Sequence, residues 1–422
     1  MERRAIIEGI ANLCLGVAVF FRFCITLNFR SNVSLAERMP LRKVGIVGVG
    51  LTKLRPTTPE VSYKELIFEA AVKAYADAGV DPRRDVESFV CSSEDFYEGT
   101  SIYDEYVPDQ IGAALKPVCT ISADGMYSLA TAHMQILTGL FDIVAVEAHS
   151  KVSDIVNIAP IYDLALDPIY TRPLGLNANF IAGLEMNRYL HDSGATSEDC
   201  TRVVEKNRKN AHSNDLAIDS ANFESSSDSL DSISYPLTRN DVAPLVDGAA
   251  VVVLAAEDAA RSLREDSVWI KGAGWASDSP TLETRDWDKA TYAELASKQA
   301  YRQAKIQNPA REIQFAEVDD TYSYKELQHA EALGLAAQFS AHKMLNQGVF
   351  DLNGRLPVNP SGGSIGMGHT LEMSGLVRVV ELVKQLRGEA GKHQVQGVQT
   401  GVALAWRGVP TASGAAVVLS NR

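Results

Sequence analysis

Two places in the chain bring together residue types that can handle a carbonyl group. The first is Asn359-Pro360-Ser361-Gly362-Gly363-Ser364-Ile365-Gly366-Met367-Gly368-His369. Four glycines and one proline in eleven residues exclude a long regular helix or strand. Such a loop lets the backbone at Gly362, Gly363, Ser364 and Gly368 come close to a ligand, and it ends on His369. From Leu376 to Leu386 apolar residues recur at helical spacing, so the loop is expected at a helix N-terminus. Free N–H groups and the positive dipole end there suit an oxyanion or a thioester carbonyl. The alternative is a structural turn whose histidine satisfies local backbone. The density of glycine favours the ligand loop.

The second place is Val118-Cys119-Thr120-Ile121-Ser122-Ala123-Asp124-Gly125, followed by a helical pattern through Met126, Leu129, Ala130, His133 and Ile136. Strand, turn and helix in that order put Ser122 at a helix N-terminus, where a nucleophile gains from the dipole. A serine hydroxyl is barely ionised at neutral pH and needs a base. Cys119 falls inside the strand, where a small buried hydrophobe is the expected role.

The elements that must carry these residues alternate between strand and helix. Val44 to Gly50 reads as a buried strand. Ser62 can cap the next helix with Glu65 at the capping-box position, and Gly79 ends it. Val86 to Cys91 and Asp142 to Val146 are further strands. Residues 152–240 form a longer irregular section, with a polar helix end at Glu205 to His212 and a solvated loop at Ser225 to Ser229. Asp247-Gly248-Ala249-Ala250 turns into a buried strand. The second half then repeats the first. Val268 to Gly274 echoes Val44 to Gly50, Thr291 to Leu295 echoes Ser62 to Leu66, and Gly414 to Leu419 echoes Gly248 to Leu254. The same order in both halves predicts an internal duplication of mixed sheets flanked by helices.

At 422 residues the chain can bury a sizeable core in two similar halves. Its net charge of −13 argues against a nucleic-acid surface. Five scattered cysteines with no CxxC pair suggest neither zinc nor a disulfide framework, and a reducing cytoplasm fits best. Leu13 to Phe21 is apolar but too short for a membrane span, since Arg22 follows. Residues 1–38 are therefore read as an N-terminal extension without fixed structure, or as the product of an upstream start. Residues 39–258 are read as the first half, including the loop region 152–240, and 265–422 as the second. Gly48-x-Gly50 lacks a third glycine at Lys53, so a dinucleotide site is discounted.

The glycine loop resembles the Asn-x-x-Gly-Gly…Gly-His-Pro segment of the thiolase superfamily, in its sterol-carrier-protein-2 and archaeal-type branch. Lys206-Asn207-Arg208-Lys209-Asn210-Ala211, Asp247-Gly248-Ala249-Ala250, Glu317 to Tyr322 with Glu326-Leu327 and Glu331 to Gly334, and Gln385 to Gly391 are similar to further family segments. The resemblance spans roughly residues 43–422 and implies an α/β duplicated thiolase fold, two βαβαβαββ halves packed as αβαβα layers. It also implies an acyltransferase acting on coenzyme A thioesters, with no permanently bound cofactor. A homodimer is implied, and a small OB-fold/zinc-ribbon protein as a further partner.

The family's chemistry uses cysteines that this chain lacks. Its Cys-Ala-Ser-Gly motif falls on Ser122-Ala123-Asp124-Gly125, and its His-Asp-Cys-Phe motif on Asp319-Asp320-Thr321-Tyr322. Of Gly-His-Pro, the histidine survives in Gly368-His369-Thr370, and the late Cys-x-Gly falls on Pro410 to Gly414. No cysteine follows Cys200. The class implied is an acyl-CoA C-acyltransferase with Ser122 as nucleophile and His369 holding the carbonyl oxygen. Asp319 would be its base if burial raised its pKa, and Asp124 beside it would complete a carboxylate pair. The alternatives are retro-aldol cleavage of a β-hydroxyacyl-CoA, with Tyr322, Asp319 and His369 as acid/base groups, and a non-catalytic subunit of a complex.

Overall fold

A computed structural model describes residues 42–94, 102–218, 232–279, 281–409 and 411–422. The apolar run at 13–21, the loop at 225–229 and Pro410 lie outside the described residues. Strand β1 (Val44–Leu51) leads into helix α1 (Tyr63–Ala78), whose start is fixed by the Glu65 carboxylate accepting the Ser62 N–H at 2.7 Å. Gly79 ends it at φ 68°, a left-handed position that glycine adopts without strain. The first half continues with β2 (Ser88–Ser92), β3 (Val118–Ile121), α2 (Gly125–Leu137), β4 (Ile143–Ser150), α3 (Ala178–Ser193), α4 (Ser197–Ala211) and β5 (Gly248–Ala256). The second half holds β6 (Val268–Ser277), α5 (Thr291–Ala304), β7 (Phe315–Glu317), α6 (Ser323–Ala332), α7 (Ser374–Arg387), β8 (Thr400–Trp406) and β9 (Ser413–Ser420).

The strands run in the order β3-β2-β4-β5-β1-β6-β9-β8-β7. The two halves of this array meet at β1 and β6, which share only two registered pairs, Gly45 with Trp269 and Ile46 with Val268. Within each half the last strand lies antiparallel between the first strand and an inner one: β5 between β1 and β4, β9 between β6 and β8. That shared order is the duplication expected from the echoes. Helices α2 and α7 pack on each other and on strands of both halves, forming a central layer, while α1 and α5 cover the outer faces. The core of the central layer joins Val44, Val90 and Val252 from one half to Val379, Ala403 and Val417 from the other, all buried.

The glycines of the echoed strands have a packing cause. A Cβ on Gly48 or Gly50 would lie 2.3 and 2.1 Å from the Ala74 and Ala70 carbonyl oxygens of α1. On Gly272 or Gly274 it would lie 2.1 and 2.3 Å from the Ala300 and Ala296 oxygens of α5. These residues let a helix backbone approach a strand, and the Gly-x-Gly pattern belongs to helix–sheet packing. The expected fifth strand of the second half is reduced to a parallel bridge between Ala316 and Val358. Pro357 and Pro360 flank Val358 and remove the donors a ladder needs.

Candidate active site

A cavity of about 600 Å³ opens between the irregular section after β4 and the ends of the second-half strands. Ile158, Pro160, Val242, Leu245 and Val409 give it apolar walls, and Asp163, Asn179, Thr321, Tyr322 and His369 supply polar groups. Among the described residues no helix is long and apolar enough to cross a membrane.

Backbone pairing fixes His369. Its N–H donates to the Pro244 carbonyl at 2.7 Å, and its carbonyl accepts the Val246 N–H at 3.0 Å. This bridge forms because Gly368, at φ 109°, packs against Val246 where a Cβ would collide at 2.5 Å. The ring Nδ1 lies 3.1 Å from Ser374 Oγ and 3.4 Å from Thr321 Oγ1. Burial lowers the imidazole pKa to about 4, against the opposing charge of Asp319 and with the help of Arg378. His369 is therefore neutral at pH 7, with Nε2 left for whatever enters the cavity.

Tyr322 donates its hydroxyl to Asn179 Oδ1 at 3.2 Å. Burial, followed by the charges of Glu185 and Asp319, raises its pKa above the usual phenol range, so it serves as a donor and not as a base. Asp163 was not singled out by the sequence. It lies in the irregular section where no motif marks it, yet it lines the cavity with Oδ1 buried and without a hydrogen-bond partner.

Asp319 behaves differently from the expected base. Its Oδ2 pairs with Arg378 Nη2 at 2.8 Å, and its Oδ1 accepts the Thr321 N–H at 3.0 Å. Burial alone would raise its pKa, but Arg378, His369, His329 and the Thr321 N–H outweigh it and hold the carboxyl below its ordinary value. Asp124, whose pKa burial raises with help from the charge of Asp319, is held by backbone donors at two helix starts. It caps α2 by accepting the Met126 N–H at 2.8 Å and reaches across to accept the Gly375 N–H of α7, also at 2.8 Å. One carboxylate thus ties the two central helix starts together, and burial lifts its pKa to about 7.

Ser122 does sit just before α2, but it is exposed and is not among the residues lining the cavity. Its carbonyl accepts from Arg407 Nη2 at 3.3 Å. Cys119, half-buried in β3, lies 3.9 Å from the Phe89 carbonyl and from Gln135 Nε2. Cys91 and Cys200 are buried, and none of these three lines the cavity.

The glycine loop does not lead straight into α7. It folds into a one-turn helix, Gly363–Met367, and a second turn at Leu371–Met373 precedes α7. Its N–H groups have partners inside the protein. Gly362 donates to Asn359, Gly363 to Ser361 Oγ, Ser364 and Ile365 to the Asp320 carboxylate, and Gly368 to Ser364. Two of its glycines allow a close approach to α4: a Cβ on Gly362 would meet Ala211, and one on Gly366 the Asn207 carbonyl, both at 2.5 Å. In the polar helix end of α4, Lys206, Asn207 and Asn210 are buried anchors. Lys206 Nζ donates to the Val358 carbonyl at 2.7 Å, Asn207 Nδ2 to Asp320 at 2.7 Å, and Asn210 Nδ2 to the Asn359 carbonyl at 3.0 Å. The loop is a rigid bracket that places His369.

Comparison with known proteins agrees with this architecture. Residues 274–421 match the family described as thiolase C-terminal domain-like. The chain is 30% identical over 372 residues to an acetyl-CoA acetyltransferase of Methanothermobacter thermautotrophicus, covering 86% of this chain and 95% of the relative. It is 30% identical to sterol carrier protein 2 of Bos taurus, covering 86% and 70%. Among solved structures, the Ltp2-ChsH2(DUF35) aldolase superposes with a TM-score of 0.75 at 25% identity, covering 90% of this chain and 97% of that one. Human mitochondrial 3-ketoacyl-CoA thiolase shares the fold at a TM-score of 0.66 and 16% identity, covering 90% and 99%. With its duplicated halves, its glycine bracket and these relatives, the chain belongs to the thiolase superfamily, in the branch of sterol carrier protein 2 and the archaeal acetyl-CoA acetyltransferases.

Proposed function

We propose that this thiolase-fold protein cleaves a carbon–carbon bond in a β-hydroxyacyl-CoA thioester by retro-aldol chemistry, without a covalent acyl-enzyme. One observation carries the reading. The cavity gathers Asp163, Thr321, Tyr322 and His369, while Ser122 and the described cysteines lie elsewhere. Asp163 takes the proton of the β-hydroxyl. The Cα–Cβ bond breaks and its electron pair moves into the thioester, forming an enolate whose oxygen accepts a hydrogen bond from His369 Nε2. The enolate carbon then takes a proton, Asp163 loses the one it gained, and an aldehyde or ketone leaves beside the shortened acyl-CoA. The Tyr322 hydroxyl and Asn179 orient the departing carbonyl. The Ltp2-ChsH2(DUF35) aldolase among the structural relatives supports the class, and in it the thiolase-like chain is paired with a DUF35 protein. A small partner of that kind is part of the proposal here, as is a homodimer.

The test is chromatographic. β-Hydroxyacyl-CoA substrates are incubated with the purified chain, alone and with an OB-fold/zinc-ribbon partner, and the released acyl-CoA is measured. Asp163→Asn is expected to lower turnover by about 10²–10⁴-fold with unchanged melting, and Ser122→Ala to leave it intact. Acyl transfer through Ser122 would instead give an intact-mass acyl adduct that Ser122→Ala abolishes, and that result would overturn the retro-aldol reading.

A further inference from the structure

A second cavity, of about 10 Å³, lies beside the groups that support His369 and is lined in part by Glu317, Ser364, Thr370, Ser374 and Arg378. Arg378 is 3% exposed, and its Nη2 holds both Asp319 and Ser364 Oγ. Its Nε and Nη1 are buried without a hydrogen-bond partner. The space suits one water molecule, which needs two to four polar partners. We infer that this cavity is an internal water site, and that Arg378, the water, Thr370 and Ser374 form a one-way hydrogen-bond chain that holds His369 in its Nε2–H tautomer.

The direction follows from what each group can do. A guanidinium only donates, so the water must accept from Arg378 and keeps its own hydrogens to give. Thr370 and Ser374 line the same space, with their hydroxyl oxygens 3.2 Å apart. Ser374 Oγ also receives the Thr370 N–H at 3.3 Å. Filled from the Thr370 and water side, Ser374 Oγ has only its own proton left for His369 Nδ1, 3.1 Å away. Nδ1 is then an acceptor and Nε2 carries the hydrogen. Glu317 is the group that could draw the water's hydrogens the other way, but the Ser361 N–H and Oγ already bond its two oxygens at 3.0 and 2.6 Å. Burial, with the nearby Glu381, also raises the Glu317 pKa to about 8, so at neutral pH its carboxyl is protonated, offers the water no anion to donate to and carries an O–H of its own.

This deepens the proposed role of His369 as a donor to an enolate, and its test does not use activity. The full chain is labelled with ¹⁵N-histidine, the His369 ring signals are assigned against His369→Gln, and the tautomer is read from the two nitrogen shifts. The expected result is the Nε2–H form at neutral pH. Ser374→Ala is expected to move it to a mixture, with Thr321 Oγ1 at 3.4 Å as the remaining neighbour, and Ser374→Thr to restore it. An Nδ1–H signal in the unaltered chain, an unchanged tautomer in a folded Ser374→Ala variant, or a dry cavity in an atomic-resolution crystal structure would each overturn the inference. Loss of retro-aldol activity alone would leave it standing.

Discussion

A carboxylate buried against a guanidinium stays ionised, and Asp319 is in that position. The pair is expected to matter more for the fold than for proton transfer. Asp319→Asn leaves Arg378 buried with its charge unmatched, and such breaks cost about 3–5 kcal/mol. Urea denaturation should show that loss, and Asp319→Asn combined with Arg378→Met should recover much of it. If Asp319 were the catalytic base, Asp319→Asn alone would be inactive even under conditions where it is fully folded. By contrast His369 and Asp163 face the cavity, so their substitution should change turnover more than melting.

At the level of elements, contact between helix and strand depends on the missing Cβ atoms of four glycines. Gly50→Ala would push a methyl to 2.1 Å from the Ala70 carbonyl, and Gly272→Ala would do the same at Ala300. Backbone cannot yield as a flexible side chain can, so each is expected to destabilise the chain by about 1–3 kcal/mol. Thermal melting should register both, and their effects should add, because the sites lie in different halves. A melting point unchanged by either substitution would refute the packing account of the Gly-x-Gly pattern. The same logic explains why the glycine loop is a bracket. Its donors are satisfied by Asp320 and its own turns, so the loop aims one side chain instead of cradling a ligand.

For the whole molecule, buried titratable groups set how stability varies with pH. Burial raises Asp124 and Asp320 to about 7 and Glu317 to about 8, so the folded chain holds protons that the unfolded chain releases above about pH 4. Stability from these groups falls as pH rises toward 8. Burial lowers His369 and His133 to about 4 and His329 to about 3, so the unfolded chain binds protons that the folded one refuses below about pH 6.5. That contribution falls as pH drops. Between about pH 4.5 and 6.5 the two slopes oppose each other. Above about pH 6.5 only the acids remain, joined by His393, whose pairing with Glu381 raises its pKa over the effect of burial. Melting temperature is therefore expected to hold level on the acid side of neutrality and to decline between about pH 6.5 and 8. Glu317→Gln should flatten the decline, and a melting temperature that rises across that interval would contradict it.

Local pattern alone determined the repeated strands and helices, the Ser62–Glu65 cap, the stop at Gly79 and the duplication, because periodicity and end signals act over a few residues. The missing cysteine after Cys200 also needed no coordinates. What the tertiary structure decided depends on groups distant in sequence. Asp319 is held ionised by an arginine 59 residues away, and the glycine loop's donors are taken by Asp320, 44 and 45 residues before them. Lys206 and Asn207 read as a polar helix end, and only the fold brings Val358 and Glu326 onto them. Asp163, in a stretch with no periodicity, becomes a candidate base only because the chain folds it onto the cavity that His369 faces. Charge and hydrogen-bond capacity are written in the residues, but which partner satisfies them is settled by the folded chain.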